Sequence, residues 1–537
     1  MNKSTHTGGE AVVETLAAAG VDTVFGIPGG HSLPIYAALY GHSQVRHVLG
    51  RHEQGLGYMA DGYARASGRL AAVTTTSGPG VANIVAALAQ ATTDNVPMVV
   101  VSSAPSAALI GRNRGGLHDL NDAIELARPA CRYVAHADAV DEISPKLAEL
   151  IRNLRCNRPG GAFLQVPTNI LGASADTAIC SSDGHRLAPD MGTVAAAAEL
   201  LQTATRPLII AGYGALLAGA GPAIQALAER LDAVVATTTL ARGLLGVQSW
   251  VVFDDGAIPS ALTKIFAEAD VTLAIGTMFR QEDTAGWQTT PAGRLIHIDI
   301  DADEFDRTYT ADVSIHADAR LAAEAIAAAL PVSIPGAEST WRQHAAGLQH
   351  ERLEARRDQP AMQFTEALRE IIPQDTIVFA DRCNVGYWMY RVAAAYEPRT
   401  FNYPMGYGGL GSALPQAIGA RLACPERRIL SIIGDGGMQF TLPELAVAVQ
   451  EQTPFTLLIS NNGAYGAIQA GLDRNFDGVD PSFGTALSGP DYGLIAKAYG
   501  IGYARVDSEA ELLRVLPDQL QNDQLNIVEF RNAIPDP

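Results

Sequence analysis

The segment Gly434-Asp435-Gly436-Gly437, followed 24 residues later by Asn461-Asn462, constrains this chain more than any other stretch. An apolar run, Ile429 to Ile433, ends in an acidic residue set among glycines. A second apolar run, Pro454 to Ser460, ends in two carboxamides, and a helical segment separates the two. That pattern reads as strand, helix, strand. In a parallel α/β unit both strand ends lie at the same edge of the sheet, where open sheets bind ligands. Asp435 and Asn462 offer hard oxygen ligands of the kind Mg²⁺ takes alongside phosphate oxygens. Gly436 and Gly437 let the backbone approach a phosphate closely. A lone Gly-Asp-Gly would be a tight turn after a buried strand; the spacing to the paired asparagines makes the pattern specific. Between them, Thr441-Leu442-Pro443-Glu444 reads as a capping box with proline in the first turn, the start of the connecting helix.

The same alternation runs through the chain, which divides into three blocks. The first covers residues 1–170. Helical periodicity around Glu10–Ala19 leads into Val21–Gly26, closed by Pro28-Gly29-Gly30. Leu70–Thr76, Pro97–Ser102 and Phe163–Val166 are further strand-like runs. Residues 171–190, rich in Ser, Ala, Asp and Gly, read as a linker. The second block, 191–335, alternates helix (Val194–Ala204, Pro222–Leu231) with strand (Pro207–Ala211, Ala233–Thr237, Val271–Gly276, Arg294–Ile300). A polar, mixed stretch around Ser333–Arg357 reads as a helical connection. The third block, 361–537, opens with helix Phe364–Ile372 and strand Thr376–Ala380 and carries the Gly434–Asn462 pattern. Such alternation predicts an α/β fold of three doubly wound parallel-sheet domains. No sequence repeat is visible.

Charge and cysteine use narrow the function classes. A formal charge of −19 argues against nucleic acid or an anionic membrane surface as the main partner. An anionic small-molecule substrate would need a local positive site such as a metal. Five cysteines without CxxC spacing point to reduced thiols in a cytoplasm. Met1–Gly9 is short and polar, without the apolar core of a signal peptide, and no apolar stretch has transmembrane length. A soluble, cytoplasmic protein with no membrane partner is expected.

Three further motifs accompany the Gly-Asp-Gly pattern: Arg51-His52-Glu53-Gln54-Gly55 with Tyr58-Met59-Ala60-Asp61-Gly62-Tyr63-Ala64-Arg65; Thr75-Thr76-Ser77-Gly78-Pro79-Gly80; and Gly408-Gly409-Leu410-Gly411-Ser412-Ala413-Leu414-Pro415. Together they resemble thiamine-diphosphate-dependent enzymes of the acetolactate synthase, benzoylformate decarboxylase and pyruvate decarboxylase group. The resemblance runs from about Gly9 to about Asn532. It implies a pyrimidine-binding domain, a central Rossmann-like domain and a diphosphate- and Mg-binding domain, in that order. It makes Glu53 the catalytic carboxylate, set against the pyrimidine ring of thiamine diphosphate. Leu410 becomes the wedge under the thiazolium, and the Gly408 carbonyl accepts from the aminopyrimidine. Asp435, Asn462 and the Ala464 carbonyl become the Mg²⁺ ligands. Cofactor contacts also fall to Gly436, Gly437, Cys383 and Asn384, although Arg382-Cys383-Asn384 stands where the group usually has small hydroxyl residues. In that group the glutamate of one chain meets the diphosphate domain of another, which implies a homodimer or homotetramer with active sites between chains.

The departures bear on which member this chain resembles. The first block, with Phe25-Gly26-Ile27-Pro28-Gly29-Gly30, looks most like acetolactate synthase. The third does not: Ala467 and Gly471 stand where anabolic synthases carry a Met and a Trp, and Leu410 where they use Met. Asn462 to Ile468 is closer to benzoylformate decarboxylase. His31, after the glycine turn, resembles the histidine of benzaldehyde lyase. His118 lies where the group usually has a glutamine. Both imidazoles are candidates to move a proton during catalysis; His52, beside Glu53, reads as structural. The expected reaction is decarboxylation of a 2-oxo acid, with release of an aldehyde or carboligation to an aldehyde or oxo acid acceptor, giving a 2-hydroxy ketone. Small residues Ala467, Ala470 and Gly471 leave room for a larger acyl group or acceptor. The alternatives are an acetolactate-synthase-like enzyme acting on pyruvate and a non-catalytic cofactor-binding homologue. A nucleotide-binding oxidoreductase would rest on Gly212-Tyr213-Gly214-Ala215, too weak a glycine pattern to call for FAD and not one that excludes it.

Overall fold

The computed structural model describes residues 4–253, 260–331, 340–532 and 534–536. Three six-stranded parallel sheets organise them, each flanked by helices. The first contains β1 (Thr23–Gly26), β2 (Arg46–Leu49), β3 (Ala71–Thr75), β4 (Met98–Ala104), β5 (Tyr133–His136) and β6 (Gly161–Pro167), in the order β2-β1-β3-β4-β6-β5. The second contains β7 (Pro207–Ala211), β8 (Val234–Thr237), β9 (Val251–Phe253), β10 (Val271–Ile275), β11 (Arg294–Asp299) and β12 (Val313–His316), in the order β9-β8-β7-β10-β11-β12. The third contains β13 (Ile377–Ala380), β14 (Phe401–Asn402), β15 (Ile429–Gly434), β16 (Thr456–Asn461), β17 (Gly502–Val506) and β18 (Asn526–Arg531), in the order β14-β13-β15-β16-β18-β17. The first and third sheets therefore share one topology, a repetition that leaves no trace in the residues. The central sheet has the 3-2-1-4-5-6 order of dinucleotide-binding folds.

The central strands are nearly all apolar because helices cover both faces of a parallel sheet. β3, β4, β6, β7, β10 and β15 are buried along their whole length. Edge strands β2 and β17 are mixed and half exposed. By compactness the chain forms two units. One holds Met1–Gly184, Val378–Cys383 and Pro404–Ala533; the other holds His185–Ile377, Asn384–Tyr403 and Ile534–Pro537. In the first unit, the helix Glu53–Ser67 meets the helix Ala413–Ala423 through a buried polar cluster. Arg65 donates to Asp61 at 2.6 Å and to Asp94 at 2.7 Å, Gln416 donates to Asp61 at 2.6 Å, and the Gly406 N–H donates to Asp94 at 2.7 Å. A buried guanidinium needs such partners, since removing one would leave an uncompensated charge.

Several local expectations change. The stretch 171–190 is not all linker: Ser174–Thr177 pairs antiparallel with Ser4–Thr7. The polar connection expected at 333–357 falls outside the described residues up to 339; beyond it Trp341–Glu354 is a helix. Thr441-Leu442-Pro443-Glu444 forms no capping box. The helix begins at Asp435, directly after β15, and Leu442–Glu444 is a 3₁₀ turn without a side-chain cap. Tertiary partners have taken both side chains: Thr441 Oγ1 donates to the Gly411 carbonyl at 2.7 Å, and Glu444 turns towards the Arg51 backbone. A capping box does form at Thr7 and Glu10, where both side chains stay local. In the central sheet, Gly212 and Gly214 pack against Gly276 at the end of β10. Their N–H groups donate to the Ile275 and Gly276 carbonyls, so close chain packing accounts for that glycine pattern.

Candidate active site

Strand order reverses between β1 and β3 in the first sheet and between β13 and β15 in the third, and ligands bind outside such switch points. At the first, β1 runs into Gly26-Ile27-Pro28-Gly29-Gly30-His31 and β3 into Thr76-Ser77-Gly78. His31 Nδ1 lies 2.6 Å from Ser77 Oγ, and Ser77 Oγ lies 3.4 Å from His118 Nδ1. The two imidazoles stand edge to face with centroids 5.3 Å apart. Gly78, at φ +64°, leaves the space that His118 occupies: a Cβ there would sit 2.9 Å from the His118 Cβ. His118 itself adopts φ +61°, a conformation a non-glycine residue holds only under local constraint. Burial, and then the neighbouring His118, lower the His31 pKa.

Glu53 opens the helix Glu53–Ser67. It is 8% exposed, and Oε2 accepts from Asn83 Nδ2 at 2.9 Å. His52 is the N-cap: its Nδ1 accepts from the Gln54 N–H at 3.2 Å, in keeping with a structural role. The Arg51 N–H donates to Glu444 Oε2 at 3.3 Å. Glu444 is buried, its Oε1 has no partner, and burial raises its pKa to about 7. A folded pKa above the ordinary value of 4.5 means that the folded chain binds this proton more tightly. The associated stability is present below the ordinary value and is lost as pH rises through about 7. Glu444→Gln, neutral throughout, is therefore expected to be more stable than the parent above neutrality, by on the order of 3 kcal/mol. Thermal unfolding of the cofactor-free protein across that range checks it; equal pH dependence of the two proteins would refute it.

At the second switch point, β13 leads into Asp381-Arg382-Cys383 and β15 into Gly434-Asp435. Asp435 is 3% exposed. Its Oδ1 accepts from the Asn462 N–H at 3.4 Å, and Asn462 Oδ1 accepts from the Ala464 N–H at 3.2 Å. Ala464 bridges Ala486, with the Tyr465 N–H donating to Thr485 and the Leu487 N–H donating to Gly463. Those bonds leave the Ala464 carbonyl out of the bridge. Burial raises the Asp435 pKa, and the backbone N–H groups of Asn462, Asp435, Gly436 and Gly463 oppose the shift. Gly436 has no room for a Cβ, which would meet the Tyr465 ring at 2.6 Å.

Asp381 is the residue sequence reasoning passed over. It is buried, with a pKa pushed up to about 6 by that burial. Oδ2 accepts from the Gly411 N–H at 2.7 Å, and Oδ1 from the Arg382 N–H at 2.9 Å. It thereby ties Gly408-Gly409-Leu410-Gly411 to the end of β13, beside Gly437. A signal was available: Phe379-Ala380-Asp381 is an apolar strand ending in an acid, like Ile433-Gly434-Asp435. Arg382 donates to the carbonyls of Pro404 and Met405, and its guanidinium covers Gly408. Cys383 packs its Cβ against Gly434. The Asn384 amide nitrogen is taken up by the Ile534 carbonyl, at 2.6 Å.

The structure thus brings Asp435, Asn462 and Ala464 into one turn, and His31 and His118 onto one hydroxyl. One carboxylate, one amide oxygen and one carbonyl form a hard donor set suited to Mg²⁺ with phosphate oxygens as co-ligands. Among the described residues no group of three or more His, Cys, Asp or Glu side chains could hold a metal. Only a site completed by carbonyl, amide and ligand oxygens fits this donor set.

Comparison with known proteins identifies the family. Residues 6–126 match the thiamine pyrophosphate enzyme N-terminal TPP binding domain, 194–326 the central domain and 381–530 the C-terminal TPP binding domain. The chain is 36% identical over 544 residues to a probable 2-ketoarginine decarboxylase of Pseudomonas aeruginosa, covering 99% of this chain and 95% of that one. The chain belongs to the thiamine-diphosphate-dependent enzymes. It is also 30% identical to the acetolactate synthase isozyme 2 large subunit of Escherichia coli, over 98% of this chain and 97% of that one. The acetolactate synthase large subunit of Corynebacterium glutamicum is 29% identical, over 98% of this chain and 86% of that one. The expectation of a thiamine-diphosphate-dependent 2-oxo acid decarboxylase or carboligase holds. No described helix is long and apolar enough to cross a membrane.

Proposed function

We propose that this enzyme decarboxylates a 2-oxo acid with a long, basic side chain and releases the aldehyde, using Mg²⁺ to hold the cofactor. The observation that carries the metal reading is Asp435, a buried carboxylate whose partners are backbone N–H groups. No cation is paired with it among the described residues, and a divalent ion supplies the missing charge. Asp435, Asn462 and the Ala464 carbonyl would ligate it. Gly436 and Gly437, with Cys383, would line the diphosphate. The Gly408 carbonyl and Leu410 would orient the rings, held in place by Asp381. Glu53 would exchange a proton with the pyrimidine, with Asn83 fixing its carboxylate. His31 and His118 would deliver protons to the reacting substrate. When bound, thiamine diphosphate supplies the electron sink that lets CO₂ leave.

The substrate class rests on three supports. The Pseudomonas relative aligns end to end with the chain, and its name specifies 2-ketoarginine. A guanidinium side chain suits a protein of charge −19. A Cβ on Gly471 would meet nothing, so the helix Gly466–Asn475 carries no bulky wall at that position. Large apolar side chains in the segment that follows Asp435, Phe440, Ile468, Phe476 and Phe483, are exposed in the single chain. Such exposure fits coverage by a second copy, in a homodimer or homotetramer that completes the site. A cytoplasmic location accords with five cysteines and no disulfide.

Purified protein with Mg²⁺ and thiamine diphosphate would be offered 5-guanidino-2-oxopentanoate, pyruvate, branched-chain oxo acids and benzoylformate, with CO₂ followed and products identified. The guanidino acid is expected to exceed pyruvate in kcat/KM by at least roughly tenfold, with aldehyde as the main product. Efficient conversion of pyruvate to a 2-hydroxy-2-methyl-3-oxo acid would establish the acetolactate-synthase-like reading instead.

A further inference from the structure

We propose that Ser77 is a positioning residue that joins His31 and His118 into one proton relay. This rests on the decarboxylase reading above, and it concerns how the aldehyde-forming proton reaches the site. The Ser77 side chain is 2% exposed, and the two Nδ1 atoms lie 2.6 and 3.4 Å from its oxygen. A hydroxyl has one proton to donate and lone pairs to accept with. If it donates to one Nδ1, the other Nδ1 must carry a hydrogen and donate to it. The two neutral rings are thereby held in opposite tautomers: one protonated at Nδ1 with a bare Nε2, the other protonated at Nε2.

That arrangement moves a proton without moving a side chain. A proton arriving at the bare Nε2 makes the first ring an imidazolium. Its Nδ1 proton passes to Ser77 Oγ as the hydroxyl proton passes to the Nδ1 of the second ring, which can then release its own Nε2 proton. One proton enters, one leaves, and the hydroxyl reverses its direction. The geometry is held from three sides. Ser77 follows β3, His31 follows the glycine turn after β1, and His118 is fixed in its φ +61° conformation against Gly78. Among the described residues, His118 is the titratable group that bears on His31, Glu53 lies behind the same loop beside Gly80, and Asp119 is next to His118 in the chain. The Asp119 carboxylate accepts from the Gly115 N–H at 3.1 Å. The loop 111–117 is exposed, which places His118 at the solvent end of the relay. Burial, and then the neighbouring His118, lower the His31 pKa, which favours the neutral ring of the resting relay.

The test has two arms. Cofactor-free protein labelled with ¹⁵N,¹³C-histidine, with resonances assigned through His31→Asn and His118→Asn, reports each ring's tautomer. Opposite tautomers are expected in the parent, and in Ser77→Ala both rings should relax to the ordinary Nε2–H form. Matching tautomers in the parent, or no change in the variant, would overturn the relay. In the holoenzyme, Ser77→Ala should lower kcat for aldehyde release roughly tenfold, leave KM within about twofold and raise the ketol fraction. Ser77→Thr, which retains a hydroxyl, should restore both. Unchanged kinetics with the tautomers lost would overturn the relay's role in turnover. If no 2-oxo acid on the panel is turned over, the proposed substrate reading fails and the tautomer arm still decides the geometry.

Discussion

Glu53→Gln is expected to bind thiamine diphosphate as the parent does and to turn over at least roughly a thousandfold more slowly, the range lost when a general acid–base group is removed. The side chain opens its helix, is 8% exposed and receives the Asn83 amide at 2.9 Å. Glutamine can fill the same space and still accept from Asn83, so the fold and the cofactor cavity should survive. What it lacks is a carboxylate that can take and return a proton. Steady-state CO₂ release, measured beside cofactor content after gel filtration, separates the two effects. Turnover close to that of the parent would remove Glu53 from the chemistry.

Asp435→Ala is expected to weaken Mg²⁺-dependent cofactor retention by at least roughly a hundredfold, more than the loss of an outer-sphere group typically costs. Two things go at once. The charged oxygen of the donor set disappears, and so does the acceptor of the Asn462 N–H, which holds the second ligand in its turn. Dialysis against buffer containing Mg²⁺, followed by cofactor assay and calorimetric titration, checks this. Retention equal to the parent's would mean that the diphosphate is held elsewhere. Asp435→Asn, which keeps the hydrogen-bond acceptor and drops the charge, divides the loss between the two causes.

The strands legible in the sequence were the buried central ones. Pro207–Ala211 and Ile429–Ile433 are apolar at every position because helices cover both sides of the sheet, and turn residues bound them. Arg46–Leu49, Tyr133–His136, Val251–Phe253, Val313–His316, Phe401–Asn402 and Gly502–Val506 were not, and each is an edge strand. An edge strand pairs on one side only, and at Arg46, Gly502 and Tyr503 it faces solvent, so its composition resembles a loop's. Asn526–Arg531 was missed although it lies inside the sheet; Asn526, Glu529 and Arg531 break its apolar run.

The same division holds at the site. As candidates, Glu53 and Leu410 came from the resemblance of their segments, and Asp435 and Asn462 from the spacing within one strand-helix-strand unit. Asp381 and Glu444 were not legible, because their partners are remote in sequence: Gly411 lies 30 residues from Asp381, and Arg51 lies 393 residues from Glu444. Thr441 and Glu444 show the cost of reading spacing alone, since a sound capping motif lost both side chains to distant partners.

By itself the sequence determined the cofactor and the α/β class, and it named Asp435, Asn462 and Ala464 as the candidate ligating oxygens. These depend on residue type and local periodicity, which a chain carries wherever it folds. Only the tertiary structure decided that the first and third sheets share a topology, that Asp381 holds the Leu410 segment, and that one serine hydroxyl stands between two imidazoles. Those facts depend on which strand ends a parallel sheet brings side by side. A crossover connection can join residues far apart in sequence into one site without marking either of them.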